Sequence, residues 1–199
     1  MRSRARQPID PELLLRAYAL GWFPMGSARR GRIEWFSPDP RGILPLAGFH
    51  APSRLKRVVR QSRFDVRIDT AFEAVMRACA TRDDTWISED ILRSYVALHG
   101  LGFAHAVETW QDDRLVGGLY GVAIGGAFFG ESMFHTVTDA SKVALVSLVE
   151  RLQTRGYALL DTQWVTPHLA QFGGTEIPRA DYLDRLATAL TLECRFDGD

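Results

Sequence analysis

The sequence predicts an α+β fold in which helices pack on the faces of a mixed β-sheet. Three observations lead there. Apolar residues at helical spacing dominate the first hundred positions. Strand-like runs with tight turns then fill residues 104–134. A helix and a further strand follow between 139 and 165. With 199 residues and 46% hydrophobic content, the chain supports one sizeable core or a domain with a small appendage.

Taken in order, Asp10-Pro11-Glu12 starts a helix: an N-cap, a proline in the first turn and an acid that suits the dipole. It runs through Leu13, Leu14 and Tyr18 to Gly21, which is placed to end it. Trp22-Phe23-Pro24-Met25 reads as a loop. Ser37-Pro38-Asp39-Pro40 is extended and turn-like, and divides a small N-terminal domain (1–40) from a main domain (41–199). Ser53 is read as the cap of a short basic helix and Asp69 as the cap of another, with Phe72, Val75 and Met76 inward. Ser88-Glu89-Asp90 opens a helix through Ile91, Leu92, Tyr95 and Leu98 that closes at Gly100. Strands follow at Ala104–Trp110, Leu115–Ile124 and Ala127–Phe134, joined by Gln111-Asp112-Asp113 and Gly125-Gly126. Asp139 opens a helix through Leu145, Leu148, Val149 and Leu152 to Gly156. A strand at Ala158–Val165, a short helix at Pro167-His168-Leu169 and a helix from Asp181 to Leu192 complete the chain. The meander–helix–strand order resembles the acyltransferase fold of the N-acetyltransferase (GNAT) superfamily.

Formal net charge is zero, so only a local patch can attract a polyanion. The densest such patch is Arg54, Lys56, Arg57, Arg60 and Arg63, which is either a solvated helix face or a phosphate-binding one. Cys79 and Cys194 match no metal spacing and read as reduced thiols of a cytoplasmic protein. The basic stretch Met1–Arg6 has no apolar signal core after it, and no apolar run is long enough for a bilayer. Neither metal nor membrane is expected, and the protein is read as a monomer.

Glu131 is the oddest residue, a carboxylate inside the apolar run Phe128-Phe129-Gly130-Glu131-Ser132-Met133-Phe134. A charge there is costly unless paired or used. An ion pair and a chemical role stand as equal readings. The glycines Gly117, Gly118, Gly121 and Gly130 around it allow close approach to the backbone. Asp161 and Gln163 stand at i and i+2 on a strand, hence on one face. A carboxylate beside an amide can fix its orientation and raise the basicity of its oxygen; a plain polar strand face is the other reading. His168 reads as a packing residue. Aromatics Trp22, Phe23, Trp35, Phe36 and Trp86 are either core or stacking surfaces for bases. The helix starting at Asp139 lacks the glycine loop that cradles a pyrophosphate, which speaks against coenzyme A. An acyltransferase with another donor and a non-catalytic RNA-binding module are the rival classes.

An ordered set of segments resembles the bacterial leucyl/phenylalanyl-tRNA–protein transferases. They are Gly21-Trp22-Phe23-Pro24-Met25, Trp35 to Arg41, Thr85-Trp86-Ile87, Val116 to Val122, Phe129 to Phe134, Ala140-Ser141-Lys142, Asp161-Thr162-Gln163, His168-Leu169 and Ile177-Pro178-Arg179. The resemblance implies transfer of Leu or Phe, sometimes Met, from charged tRNA to proteins beginning with Arg or Lys, which marks them for degradation. No cofactor is implied. Asp161 and Gln163 would be the catalytic relay and Glu131 a polar partner of the reacting groups. Trp86 and Phe128 would hold the terminal adenosine and aminoacyl group. Leu119, Leu148, Leu152 and Leu160 would line the side-chain pocket, with Met25, Tyr120 and Ser132 also at the substrate. The basic helix from Arg54 to Arg63 would take tRNA phosphates. Thr162 replaces a common Cys, Asp139 a common Asn, and Met25 a Trp of some members.

Overall fold

The structure, a computed structural model, describes residues 7–26, 32–81 and 85–198; the basic stretch Met1–Arg6 lies outside these. Helix α1 (Pro11–Ala19) begins as predicted, with the Asp10 carboxylate accepting from the backbone N–H groups of Glu12 and Leu13. The stretch read as a loop is instead strand β1 (Phe23–Gly26), paired antiparallel with β2 (Ile33–Phe36). Strand β3 (Arg41–Ile43) then enters the main sheet. Helix α2 (Ser53–Arg60) is preceded by Pro52 at the cap position, so Ser53 is its first residue and not its cap. Strand β4 (Asp65–Ile68) leads to α3 (Phe72–Cys79). Asp69 does not cap α3 either: it has φ of 58° and its carboxylate accepts from Ala106 N–H and His105 Nδ1. The buried Glu108 takes the Ala71 N–H at the start of α3.

Helix α4 (Glu89–Gly100) carries the predicted Ser88 cap, whose hydroxyl accepts from Ile91 N–H. The meander β5 (Ala104–Gln111), β6 (Arg114–Ile124) and β7 (Ala127–His135) follows close to its predicted bounds. Then come α5 (Ala140–Thr154), β8 (Leu159–Gln163), α6 (Pro167–Ala170), the unpredicted β9 (Thr175–Ile177) and α7 (Arg179–Leu190).

Seven strands form one mixed sheet in the order β4-β5-β6-β7-β8-β3-β9. Only β7 and β8 run parallel; the other pairs are antiparallel. Strand alternation supplies both faces. Tyr120, Phe129 and Leu159 pack against α3, α4, α1 and α7, whereas Leu119, Phe128 and Leu160 pack against α2 and α5. The glycines of β6 are filled by the protein itself. A Cβ on Gly121 would lie 2.3 Å from the Phe129 carbonyl oxygen, and one on Gly117 would lie 2.6 Å from Ala140 Cβ. Of the glycines singled out, only Gly130 borders the large cleft. No described helix is long and apolar enough to cross a membrane.

The N-terminal elements belong to the same core, through Leu14, Tyr18 and Phe23. A fully buried guanidinium fastens them. Arg41, at the head of β3, donates through Nε to Asp161 Oδ1 (2.9 Å) and through Nη2 to Asp161 Oδ2 (2.6 Å). Its Nη1 donates to the Gly21 carbonyl at the end of α1 (2.9 Å). The guanidinium lies over the rings of Phe23 (4.9 Å) and Tyr182 (4.4 Å). A bidentate pair in this setting is strong only while both partners are present. Arg41→Ala is therefore expected to lower unfolding free energy by about 3–5 kcal/mol, measured by urea denaturation. A loss below about 1 kcal/mol would contradict the role given to the pair.

Candidate active site

The parallel ladder between β7 and β8 stops at Phe129–Asp161, while β7 continues to His135. A cleft of about 560 Å³ opens where the two strands no longer pair, bordered by Gly130, Met133, Leu160 and Gln163 and by Leu145 and Leu148 of α5. Register shapes its rim. Gly121 pairs with Gly130 but Tyr120 pairs with Ser132, so Glu131 is the extra residue of a bulge. A bulge re-aims a side chain that regular pleating would send elsewhere.

Glu131 lines the cleft, half-buried, among three donors. Tyr18 Oη donates to Oε1 (2.6 Å), Tyr95 Oη to Oε2 (3.2 Å) and Gln163 Nε2 to Oε1 (3.3 Å). The two tyrosine hydroxyls also lie within hydrogen-bond reach of each other, so two phenolic protons are shared among three contacts. Loss of hydration pushes the Glu131 carboxyl up to about 8; the Tyr18 bond opposes this, the Asp161 charge adds to it, and Tyr95 and Arg41 oppose it further. Burial, followed by the charge of Glu131, raises both phenols well above their ordinary value.

Asp161 is arranged differently from expectation. It is fully buried and does not line this cleft. Four donors saturate it: Arg41 Nε and Gln163 N–H on Oδ1, Arg41 Nη2 and Tyr182 Oη on Oδ2. The expected contact with the Gln163 amide is absent. Gln163 has φ of 60°, which folds its backbone N–H back onto Asp161 (2.8 Å) and frees its side chain for Glu131. Both side chains still serve the α1, α4 and α7 side of the sheet, Asp161 through Tyr182 and Gln163 through Glu131 beside Tyr18 and Tyr95, but by separate contacts.

Of the other residues singled out, Met25, Trp86, Leu119, Tyr120, Ser132, Leu148 and Leu160 line the cleft. Phe128 and Leu152 do not. Leu152 is on the buried side of α5 and Phe128 is buried in the same cluster, its ring stacked on Phe196 at 5.2 Å. Arg54, Lys56, Arg57, Arg60 and Arg63 are exposed on and just after α2, outside the cleft. A cationic path leads from them to its edge: Arg54 lies 3.9 Å from Asp139, and Lys142 Nζ bonds the same carboxylate at 3.0 Å. Beyond them, His135 and His168 line the cleft. Exposed Trp164 closes the mouth with its ring edge-on to Phe23 (5.4 Å).

Sequence reasoning missed Arg41, Tyr18, Tyr95 and Tyr182 as site residues. Arg41 offered one signal, a charge heading the apolar run Gly42-Ile43-Leu44, the same oddity that marked Glu131.

Comparison with known proteins places this arrangement in context. The family model described as leucyl/phenylalanyl-tRNA protein transferase matches residues 43–187, and the model of that family's N-terminal domain matches residues 7–39. The chain is similar to the leucyl/phenylalanyl-tRNA–protein transferase of Paramagnetospirillum magneticum, at 60% identity over 96% of this chain and 94% of that one. It is similar to the one of Gloeobacter violaceus at 57%, over 94% and 97%. Among solved structures, the C-terminal domain of a putative lysylphosphatidylglycerol synthetase from Agrobacterium fabrum gives a TM-score of 0.47 at 14% identity, covering 90% of this chain and 69% of that one.

The Glu131 environment has a measurable signature. Its folded pKa lies above the ordinary 4.5, so between about pH 4.5 and 8 the folded state keeps a proton that the unfolded chain has lost. Stability from this group is complete below that window and declines as pH rises through it. Glu131→Gln does not titrate. Thermal melts from pH 5 to 9 should show wild type losing ground to Glu131→Gln by on the order of 3 kcal/mol, with no further change above the window. A difference constant with pH would refute the assignment.

Proposed function

The chain belongs to the leucyl/phenylalanyl-tRNA protein transferase family and is an aminoacyltransferase; on that premise we propose that it transfers Leu or Phe, and less readily Met, from charged tRNA to the α-amino group of proteins beginning with Arg or Lys. The new N-terminal residue marks the product for degradation. The protein acts as a cytoplasmic monomer without a cofactor. Residues 1–40 form a small N-terminal domain and 41–199 an N-acetyltransferase-like (GNAT) domain, a reading supported by the β5–β6–β7 meander followed by α5 and β8.

One observation carries the reading: an aminoacyl-sized apolar cleft holds, at its edge, a carboxyl group whose pKa is raised to about 8. The nucleophile is an α-amine with an ordinary pKa of about 7.7–8.0. Amine and carboxylate are thus matched, and proton transfer between them is nearly thermoneutral. The aminoacyl ester is already activated, so the main task is alignment, an effect worth up to roughly 7–11 kcal/mol. Because Gln163 spends its amide N–H on Glu131, its amide oxygen is left to accept from the amine. Glu131 then takes the proton that makes the amine nucleophilic. Asp161, already neutralised by Arg41, acts as a positioning residue that sets the Gln163 backbone turn. That neutralisation leaves Glu131 as the carboxylate for an acceptor's cationic side chain.

Leu119, Leu148 and Leu160 would surround the aminoacyl side chain, with Trp86 and Met25 nearer the adenosine. An apolar wall separates ligands differing by one methylene by only about 1–3 kcal/mol, so some Met transfer follows. Arg54, Lys56, Arg57, Arg60 and Arg63 would bind tRNA phosphates.

The test is transfer of labelled Leu from charged tRNA to Arg-initiated and Ala-initiated peptides. The wild type should use the first and neglect the second. Glu131→Gln should lose roughly 10²–10⁴-fold in turnover. Wild-type turnover in that variant would overturn the role of Glu131, and transfer from acyl-coenzyme A with none from tRNA would overturn the reaction. Replacing Arg54, Arg57 and Arg60 by Ala should flatten the salt dependence of tRNA binding, with the log–log slope falling by about 0.7–0.9 for each phosphate that these side chains neutralise. An unchanged slope would exclude α2 as the tRNA surface.

A further inference from the structure

Two polar groups in the cleft have no role in the chemistry above. His168 Nε2 and Thr162 Oγ1 are buried atoms without a hydrogen-bond partner among the described residues, and both residues line the cleft. The surrounding wall is apolar, formed by Leu145, Leu148, Leu160 and Leu169. Buried polar groups are nearly always satisfied, so an unsatisfied pair on residues that line a cleft points to a ligand that satisfies them.

The local structure fixes the form of the imidazole. His168 sits in α6, which begins at the Thr166 cap, where the hydroxyl accepts from Leu169 N–H. Its ring meets Phe172 edge-on at 5.6 Å. Gln171 Nε2 donates to the His168 carbonyl (2.9 Å) and faces His168 Nδ1 at 3.4 Å. Nδ1 is therefore the acceptor of the neutral ring, which assigns the proton to Nε2. Burial, helped by the nearby charges of Lys142 and His135, lowers the His168 pKa and keeps the ring neutral.

We propose that His168 Nε2–H and the Thr162 hydroxyl are the donors that receive the carbonyl oxygen of the aminoacyl ester and hold the negative charge it develops. The inference rests on the aminoacyl transfer proposed above. When the amine nitrogen bonds to the ester carbon, the carbonyl π pair moves onto that oxygen. Its return expels the ribose oxygen, and the proton given up by the amine ends on that ribose oxygen. The two donors bind throughout and exchange no proton. Their N–H and O–H groups strengthen their bonds as charge builds, so they act on turnover more than on affinity.

The experiment measures kcat and KM separately for Leu transfer to an Arg-initiated peptide. Removal of one such donor typically costs about 10²–10³-fold in kcat. His168→Ala is expected to fall by roughly 100-fold in kcat with KM within about twofold. His168→Gln restores an N–H near the Nε2 position and should recover most of that activity. Thr162→Val, nearly isosteric, should lower kcat by roughly tenfold and carries the test if His168→Ala does not fold. Wild-type kcat in His168→Ala or Thr162→Val, a defect confined to KM, or a His168→Gln variant as impaired as His168→Ala would each overturn the inference. Failure of the wild type to transfer at all would overturn the proposed reaction together with this inference. An active wild type with unaffected variants would overturn the inference alone.

Discussion

The buried pair between Arg41 and Asp161 is the interaction on which the remaining geometry hangs. It joins residues 120 positions apart and ties three pieces of chain together: the end of α1 through the Gly21 carbonyl, the start of β3, and β8. Tyr182 adds α7 through its hydroxyl. Two charges removed from water gain little unless every lone pair and proton is used. Here the carboxylate is fully used, and the guanidinium is sandwiched between two rings. That saturation has a chemical consequence. Asp161 has nothing left to offer a substrate, so under the proposed mechanism the proton is handled by a different carboxyl group.

Glu131 is that group, and its circumstances are the reverse. It sits at a bulge beside the cleft, held by neutral hydroxyls and an amide and by no cation in direct contact among the described residues. This desolvated setting therefore favours its protonated form. Under the proposed reaction, a cationic acceptor would supply the compensating charge from outside, so substrate arrival and ionisation of the carboxyl would reinforce each other. A site built this way spares the resting protein most of the desolvation cost of a buried anion. With the acceptor proposed above, it would also confine the reactive form to the moment a basic N-terminus is present.

Much of this was legible in the sequence where the signal is local. The caps at Asp10 and Ser88, the meander from Ala104 to His135 and the helix after Asp139 need only a few neighbouring residues to specify them. Glu131 was marked by a charge in an apolar run. The three- and four-residue strands β1, β2, β3, β4 and β9 were not legible, because alternation has no room to show itself over so few positions. Nor was the turn at Gln163, since a non-glycine residue at φ of 60° is sustained by the Asp161 contact and not by its own preference. The spacing of Asp161 and Gln163 suggested a direct contact between carboxylate and side-chain amide, which that turn replaces with a backbone bond. Phe128 and Leu152 were placed at the substrate by the family resemblance, whereas in this chain both are buried in the core behind the cleft wall.

The position of β3 has a temporal side. This strand belongs to the first quarter of the chain, yet its partners β8 and β9 and the Tyr182 hydroxyl come from the last quarter. During synthesis Arg41 therefore emerges about 120 residues before its carboxylate, and the sheet has a gap where β8 will insert. Long-range pairings of this kind form late, because the loop must close before any contact rewards it. A nascent or C-terminally shortened chain thus lacks the saturated Asp161, the Gln163 turn and the cleft between β7 and β8 together. The site proposed for the chemistry would therefore be complete only once β8 has inserted and Gln163 has reached Glu131.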